Sequence, residues 1–250
     1  MHKLVCAALF LLLSLSWSKP VITSPSGGPR YKSIFSFGNS FADTGNNPVV
    51  FGWYSVFDPV TRPPYGTTFF SRPTGTTFVI AENLGLPYAP PTLAHNGSFR
   101  RGANFAVGAA TALDAGFFHE RDIPGGSSKF PLNTSLGVQL EWFESMKPTL
   151  CRTARECKNF LRRSLFLVGE FGVNDYHFSF QRKTVQEVRS FVPHVVASIS
   201  MAIEAALGKF RAKHRKVKII YADFFGPIMD MVESPHKFGQ HRQLCWKNLH

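Results

Sequence analysis

The sequence has few acidic residues and little charge of either sign. Only 16 of its 250 residues are Asp or Glu, against 28 Lys or Arg, so the formal net charge is +12. This excess affects solubility and attraction to anionic neighbours, and it carries no information about the fold. Because 44% of the residues are hydrophobic, the chain can bury a core, which excludes disordered, coiled-coil and collagen-like classes.

The sequence also lacks internal repeats, long linkers and any apolar run long enough to cross a bilayer. The apolar run of residues 4–15 follows a basic start and is followed by small and polar residues. These features are typical of a secretory signal. We therefore predict a cleaved signal peptide over residues 1–18, a tether rich in Pro, Ser and Gly over 19–32, and a single domain over 33–250.

Cysteines are few, and their spacing predicts one short disulfide. Cys6 would leave with the signal peptide. Cys151 and Cys157 lie six residues apart, and a disulfide between them fits an oxidising compartment. Cys245 would then have no partner within the chain.

Two sequons agree with export. Asn96 in Asn-Gly-Ser and Asn133 in Asn-Thr-Ser carry the acceptor pattern for N-linked glycans. Together with the signal peptide they predict a secreted, extracellular glycoprotein without a transmembrane segment. Export disfavours nucleic acid as a partner, whatever the net charge.

Short apolar runs alternate with helical patterns along the chain. The runs at residues 34–37, 104–107, 165–168 and 217–222 predict buried strands. Apolar spacing of three or four predicts helices near residues 136–146 and from Thr184 to about His214, where Thr184 and Glu187 form a capping box. Pro193 should kink or split the second helix. Strands separated by helices predict a parallel sheet covered on both faces, with the chemistry beyond its carboxyl edge.

The segment Phe35–Asn46 carries the first candidate for chemistry. It reads FSFGNSFADTGN, and its apolar strand runs into Gly38, which permits a sharp turn. Ser40 then stands where the strand ends and a helix would begin, which is a position suited to a nucleophile. The same pattern also fits a simple turn. A hydroxyl at this place needs a base to accept its proton and donors to hold the oxyanion.

Four segments in one order resemble the secreted plant members of the GDSL esterase/lipase family, also called SGNH hydrolases. They are FGNSFADTGN near the start, SRPTGTTFVIAENLGLP at 71–87, RGANFAVGAATAL at 101–113 and VGEFGVNDY at 168–176. The resemblance implies a flavodoxin-like three-layer α/β/α sandwich that hydrolyses carboxylic esters with no metal or other cofactor. Substrates would be small-molecule, lipid or polysaccharide esters in the cell wall or apoplast.

The same resemblance implies roles for individual residues. Ser40 would attack the ester carbonyl and form an acyl-enzyme. The oxyanion would be held by the Ser40 backbone N–H, by a loop glycine that falls at Gly108 or Ala109, and by the Asn174 side chain.

Three positions depart from the family pattern. Asn39 stands where Asp usually precedes the serine, and Val173 stands where glycine usually precedes the asparagine. Ala109 stands where a second glycine is common, and its N–H can still donate unless the position needs a positive φ. We expect Asp43 and Asn46 to brace the nucleophile loop instead of reacting.

The last motif of the family is absent. In the family an Asp and a His three residues apart supply the acid and the base of the triad, and no Asp-x-x-His occurs in this sequence. The tail after Gly239 loses the resemblance. We therefore expect a C-terminally truncated chain that lacks the last strand and helix of the sheet and hydrolyses esters slowly or not at all. His177, close after Asn174, is a substitute candidate for the base.

Two functions of different classes follow. The leading one is a secreted serine esterase or lipase that acts through Ser40. The alternative is a catalytically inactive truncated product that binds a cell-wall glycan or lipid.

The basic run Lys209–Lys218 fits a solvent-facing helix end that complements the helix dipole. It also fits a contact with anionic wall polysaccharide or lipid.

Overall fold

The computed structural model describes residues 31–58 and 80–211, together with positions 230, 233, 234 and 237. The signal peptide, most of the tether, the strand predicted at 217–222 and the tail with Cys245 lie outside the described residues. The chain forms two compact units, residues 1–202 and 203–250. The sheet and every side chain of the candidate site belong to the first unit.

A three-stranded parallel sheet forms the centre of the described fold. Its strands are β1 (Ser33–Phe37), β2 (Gly102–Asn104) and β3 (Ser164–Val168), in the order β2-β1-β3. The predicted runs at 34–37 and 165–168 are confirmed as strands. The strand predicted at 104–107 is displaced toward the N-terminus. Asn104 explains the displacement, because its side-chain carbonyl accepts the Ala106 N–H at 2.9 Å and turns the chain into a loop.

Helices connect the strands and flank the sheet. They are α1 (Asn47–Trp53), α2 (Ala115–His119), α3 (Leu136–Leu150), α4 (Ala154–Leu161), α5 (Val173–Ser179) and α6 (Val185–Arg211). α3 confirms the helix predicted near 136–146, and it begins where the Ser135 hydroxyl accepts the Val138 N–H at 3.3 Å.

The longest helix, α6, begins at the predicted capping box. The Glu187 side chain accepts the Thr184 N–H at 2.8 Å, and the Thr184 hydroxyl accepts the Glu187 N–H at 3.3 Å. Pro193 lies inside α6, which continues through it as one element of 27 residues, so the predicted split is wrong. A proline removes one main-chain hydrogen bond, and a helix of this length retains the bonds on either side.

The alternating side chains of β1 enter two separate cores. Phe35 and Phe37 pack against Phe143 of α3 on one face of the sheet, with ring centroids 5.5 and 5.9 Å apart. Ile34 packs on the other face against a buried cluster that includes Ala81. A strand buried on both sides is typical of a parallel sheet between two layers. The fold is therefore an α/β sandwich, as predicted.

The disulfide and both sequons lie among the described residues. Cys151 and Cys157 form a disulfide across the turn between α3 and α4. Asn96 and Asn133 both have exposed side chains, as glycan acceptors require. Within the part of the chain that the structure describes, no helix has the length and apolar character to cross a membrane.

The aromatic core makes the stability of the fold depend on Phe143. This buried ring lies 5.5–5.9 Å from the rings of Phe35, Phe37, Phe105 and Phe166. Phe143→Ala should therefore lower the free energy of unfolding by about 3–5 kcal/mol, because it leaves a cavity among these rings.

Urea unfolding measures this loss. Phe180→Ala is the matched control, because the Phe180 side chain is 52% exposed, and it should cost less than about 1 kcal/mol. Equal losses for the two variants would contradict a core centred on Phe143.

Candidate active site

Three loops meet beyond the carboxyl ends of the strands. Because the three strands are parallel neighbours, the loops that follow them leave the same edge of the sheet. The β1 loop carries Ser40, the β2 loop carries Gly108 and Ala109, and Asn174 lies in the first turn of α5 after β3. The structure thus brings the predicted nucleophile and the predicted oxyanion donors to one edge.

Ser40 occupies an exposed turn directly after the central strand. The Asn39 side-chain carbonyl accepts the Phe41 N–H at 3.1 Å, which closes an Asx turn around the serine. Among the described residues, neither the hydroxyl nor the N–H of Ser40 has a hydrogen-bond partner. Within residues 31–58 and 80–211, both groups are therefore available to a substrate.

Gly38 fixes the position of this turn. A Cβ at Gly38 would lie 2.9 Å from the Gly169 carbonyl oxygen, so only glycine fits between β1 and the β3 loop. The buried side chain of Gln139 in α3 accepts the Gly38 N–H at 3.0 Å and donates to its carbonyl at 2.9 Å. Sequence reasoning missed Gln139, although a glutamine on the apolar side of α3 was an available signal.

Asp43 joins the β1 loop to the β2 loop. Its buried carboxylate accepts the N–H groups of Gly45, Asn46, Asn47 and Gly108 at 2.8–3.1 Å. Burial raises the pKa of Asp43 to about 6, and the four N–H donors oppose that shift. The predicted bracing role of Asp43 is confirmed by these contacts.

Asn46 braces the same loop through its amide. Its side-chain N–H₂ donates to the carbonyls of Asn104 and Ala106 at 2.8 and 2.9 Å, and its oxygen accepts the Leu93 N–H at 2.8 Å. Both hydrogens and the oxygen of the buried amide therefore bond to backbone. This confirms its predicted role as a brace.

The structure distinguishes the two candidates for the loop donor. The Gly108 N–H is already used by Asp43, and a Cβ at Gly108 would lie 2.3 Å from the Asn47 side-chain oxygen. Gly108 is thus a packing position. The Ala109 N–H has no acceptor among the described residues, which makes Ala109 the better candidate for the oxyanion donor. Ala109 has a φ of +67°, in the region that favours glycine.

Asn174 and Asp175 join the β3 side of the site to the β2 loop. The Asn174 amide donates to the Ala110 carbonyl at 2.9 Å. Since that amide nitrogen carries two hydrogens, one remains for an oxyanion. The buried Asp175 carboxylate accepts the N–H groups of Ala112 and Leu113 at 2.8 and 2.9 Å. Burial raises the pKa of Asp175, against the effect of these two donors.

Val173 does not need the backbone freedom of glycine. It is the first residue of α5, and the positive φ of this loop falls on Gly172, at +112°. The glycine that the family usually has before the asparagine is therefore not required at position 173 in this chain.

Asn39 makes the third connection, between the β1 and β3 loops. Its amide nitrogen donates to one Glu170 carboxylate oxygen at 2.5 Å, and the other oxygen accepts the Val173 N–H at 3.1 Å. Asn39 is thus a neutral donor that faces a carboxylate. The Asp that is usual in the family at this position would face Glu170 with a second negative charge.

His177 lies one helical turn after Asn174 on α5. Residues three apart are neighbours on a helix surface. Its exposed ring lies 5.7 Å from the Phe178 ring, and the contacts of the described residues include no hydrogen bond between His177 and Ser40. The structure therefore places His177 near the predicted oxyanion donor without joining it to the nucleophile.

A parallel sheet with a serine after its central strand and neutral donors on both neighbouring loops is the arrangement expected of an acyl hydrolase with an α/β sandwich fold. The family model described as GDSL-like Lipase/Acylhydrolase matches residues 34–250. The chain belongs to this family, which confirms the resemblance seen in its motifs.

Curated relatives agree with this assignment. A GDSL esterase/lipase of Arabidopsis thaliana is 43% identical over 198 residues, which cover 75% of this chain and 49% of the relative. The sinapine esterase of Brassica napus is 44% identical over 199 residues, which cover 73% and 48%. A second Arabidopsis thaliana GDSL esterase/lipase is 44% identical over 282 aligned positions, which include 84% of this chain and 74% of the relative.

The chain spans about half the length of the first two relatives. The match to the third extends over 282 positions and includes 84% of this chain, or about 210 residues. About 70 positions of that relative therefore pair with no residue of this chain within the matched span.

Backbone strain at Ala109 predicts a gain in stability from glycine. A left-handed conformation costs an alanine about 1 kcal/mol or more relative to glycine. Ala109→Gly should therefore raise the free energy of unfolding by up to about 1 kcal/mol. Ala110→Gly is the matched control, because Ala110 is buried and has no positive φ, and it should lower stability by about 0.5–1 kcal/mol. A loss at both positions in urea unfolding would contradict the strain assigned to Ala109.

The Asn39–Glu170 contact predicts a pH-dependent variant. Asn39→Asp would place two carboxylates together, which raises at least one pKa above its value in the unfolded chain. While the carboxyls at positions 39 and 170 are both protonated, they do not repel each other and the variant loses no stability. As pH rises through the raised pKa, the second carboxyl ionises and the free energy of unfolding falls. The variant should equal the wild type below about pH 4 and be less stable by about 1–3 kcal/mol at pH 7.

Urea unfolding across this range measures the difference between the two proteins. The Asp43 titration also lowers stability as pH rises toward its pKa of about 6, and it cancels in the difference because both proteins contain it. Parallel stability curves would show that positions 39 and 170 do not interact.

Proposed function

We propose that this protein hydrolyses carboxylic esters through an acyl-enzyme on Ser40. The observation that carries the proposal is the convergence of Ser40, the Ala109 loop and Asn174 at one edge of the sheet, held there by hydrogen bonds between the three loops. The Ser40 oxygen would bond to the ester carbonyl carbon while a base accepts its proton. The alcohol would then leave, and water would release the acid from Ser40.

Three neutral donors would stabilise the oxyanion of this reaction. They are the backbone N–H groups of Ser40 and Ala109 and the second amide hydrogen of Asn174. Neutral donors fixed before the reaction stabilise developing charge without needing to titrate or reorganise. A relative named sinapine esterase supports small-molecule esters as one substrate class, beside lipid and polysaccharide esters.

Removal of the nucleophile and of the amide donor should affect hydrolysis in different degrees. With p-nitrophenyl acetate as substrate, Ser40→Ala should lower kcat by about 10⁴-fold or more. Asn174→Ala should lower kcat by about 10²–10³-fold with little change in KM, since the donor acts on the transition state. Asn159→Ala, at an exposed position of α4, is the matched control and should leave both constants unchanged. Wild-type kcat in Ser40→Ala would refute the proposal.

His177 is the histidine of the described residues that we propose as the base, because it shares a helix surface with Asn174. His177→Ala should lower kcat by about 10²–10⁴-fold and remove the rise of kcat/KM with pH that a histidine base gives. His119→Ala, at another exposed histidine, serves as the control for loss of an imidazole. An unchanged rate and pH profile in His177→Ala would exclude His177 as the base.

A non-catalytic protein that binds wall glycan or lipid is the second candidate function. It is favoured by one observation, that no described residue accepts a hydrogen bond from the Ser40 hydroxyl. A fluorophosphonate probe separates the two candidates, because labelling requires an activated serine. Labelling of Ser40 supports the hydrolase, and its absence in the folded protein supports the binding function.

We also infer that the mature chain acts outside the cell, in the cell wall or apoplast. The signal-like residues 1–18 support this inference, as do the Cys151–Cys157 disulfide and the exposed side chains of Asn96 and Asn133.

A further inference from the structure

The amino-terminal edge of the sheet carries a basic cavity that the proposed reaction does not use. The cavity has a volume of about 500 Å³, and Ser33, the first residue of β1, lies in its wall. Four cationic side chains line it: Lys32, Arg100, Arg101 and Arg163. The cavity therefore lies at the opposite edge of the sheet from Ser40.

Three of these cations directly precede the three strands. Lys32 stands before β1, Arg101 before β2 and Arg163 before β3. The Lys32 N–H donates to the Arg163 carbonyl at 2.7 Å, and the Ile34 N–H donates to the Arg101 carbonyl at 3.3 Å. Because neighbouring strands lie about 4.8 Å apart, the backbone positions of these cations form a row about 10 Å long. The sheet itself fixes the order of this row.

Among the described residues, the row of Lys32, Arg101 and Arg163 forms no ion pair with an acidic side chain. Arg100 lies 3.6 Å from Glu156 and donates to the Leu150 carbonyl at 2.9 Å. Within residues 31–58 and 80–204, no acidic side chain forms an ion pair with Lys32, Arg101 or Arg163, and all three are exposed. Within these described residues, the three cations therefore create a positive potential that attracts anions to the cavity.

The cavity walls indicate the kind of anion. Tyr31 and Phe160 contribute ring surface, and Leu86 and Pro87 contribute apolar surface beside the cations. A cavity of about 500 Å³ with mixed apolar and polar walls is in the range of sites for organic ligands. A single small inorganic anion would use one end of the row and none of the apolar wall.

We propose that this cavity binds a segment of an acidic polysaccharide. Carboxylates repeated along the polymer pair with Lys32, Arg101 and Arg163, and the C–H faces of the sugar rings pack on Tyr31 and the apolar wall. A nucleic acid also presents repeated negative charge, and the predicted export of the chain favours the saccharide. The proposal does not rest on catalysis by Ser40.

Calorimetric titration of the full-length protein with polygalacturonate tests the proposal. Arg101→Ser/Arg163→Ser removes two cations of the row and should weaken binding about tenfold, because two charge-assisted contacts are lost. Arg155→Ser/Arg189→Ser is the matched control, since these exposed arginines on α4 and α6 lie outside the cavity wall and remove the same net charge. The control should change affinity less than about twofold.

Several outcomes would overturn the proposal. Equal weakening of polygalacturonate binding in the two double variants would show that binding depends on the overall net charge. The absence of binding by the wild-type protein would exclude acidic polysaccharide as the ligand. Tighter binding of single-stranded RNA, with the same dependence on Arg101 and Arg163, would assign the row to nucleic acid. If inorganic phosphate displaces the polymer at an equal concentration of charge, the cavity binds anions in general and is not specific for a saccharide.

Hydrolysis of p-nitrophenyl acetate separates this proposal from the proposed function. Both double variants should retain the wild-type rate, because neither touches Ser40, Ala109 or Asn174. The variant Arg101→Lys/Arg163→Lys changes the same two positions but keeps both positive charges, so it should retain most of the affinity. A loss of affinity in the serine variant alone would therefore come from the missing charges and not from misfolding.

Discussion

The buried carboxylate of Asp43 is the contact on which the candidate site depends. Its two oxygens accept four backbone N–H groups, three from its own loop and one from Gly108 across the site. An ionised carboxylate can accept four such bonds, whereas an asparagine would turn an N–H₂ group toward two of the donors. The cost of burying this group is visible in its raised pKa. Asp43 therefore fixes the shape of the loops beside the proposed nucleophile.

Two further hydrogen bonds, beside those of Asp43, join the three loops of the candidate site. Asn39 joins the β1 loop to the β3 loop through Glu170, and Asn174 joins the β3 side to the β2 loop through the Ala110 carbonyl. Each pair of loops is therefore connected by at least one side-chain hydrogen bond, so none can move without breaking a buried or partly buried hydrogen bond. Ser40 can remain in an exposed turn because its neighbours are fixed. Donors that are held in place before a substrate arrives are what oxyanion stabilisation requires.

Local patterns in the sequence predicted the parts of this structure that depend on neighbours in the chain. The strands β1 and β3, the cap of α6 and the position of Ser40 all follow from runs and spacings within a few residues. Gln139 was missed because its partner, Gly38, lies 101 residues away. The same limit applies to position 109, because no pattern of neighbouring residues indicates that an alanine there has a positive φ. The observed β2 lies before the predicted run because Asn104 forms side-chain hydrogen bonds that a hydrophobicity pattern does not show.

The five residues of β1 connect the two edges of the sheet, one with the basic row and one with Ser40. At about 3.3 Å per residue they separate the edges by about 17 Å. A polymer segment bound at the row as proposed would lie about this distance from Ser40, at the other edge of the sheet. An enzyme anchored in this way would meet esters on the same matrix at a high effective concentration, and its reaction would be limited by search along a surface instead of by diffusion from bulk solvent.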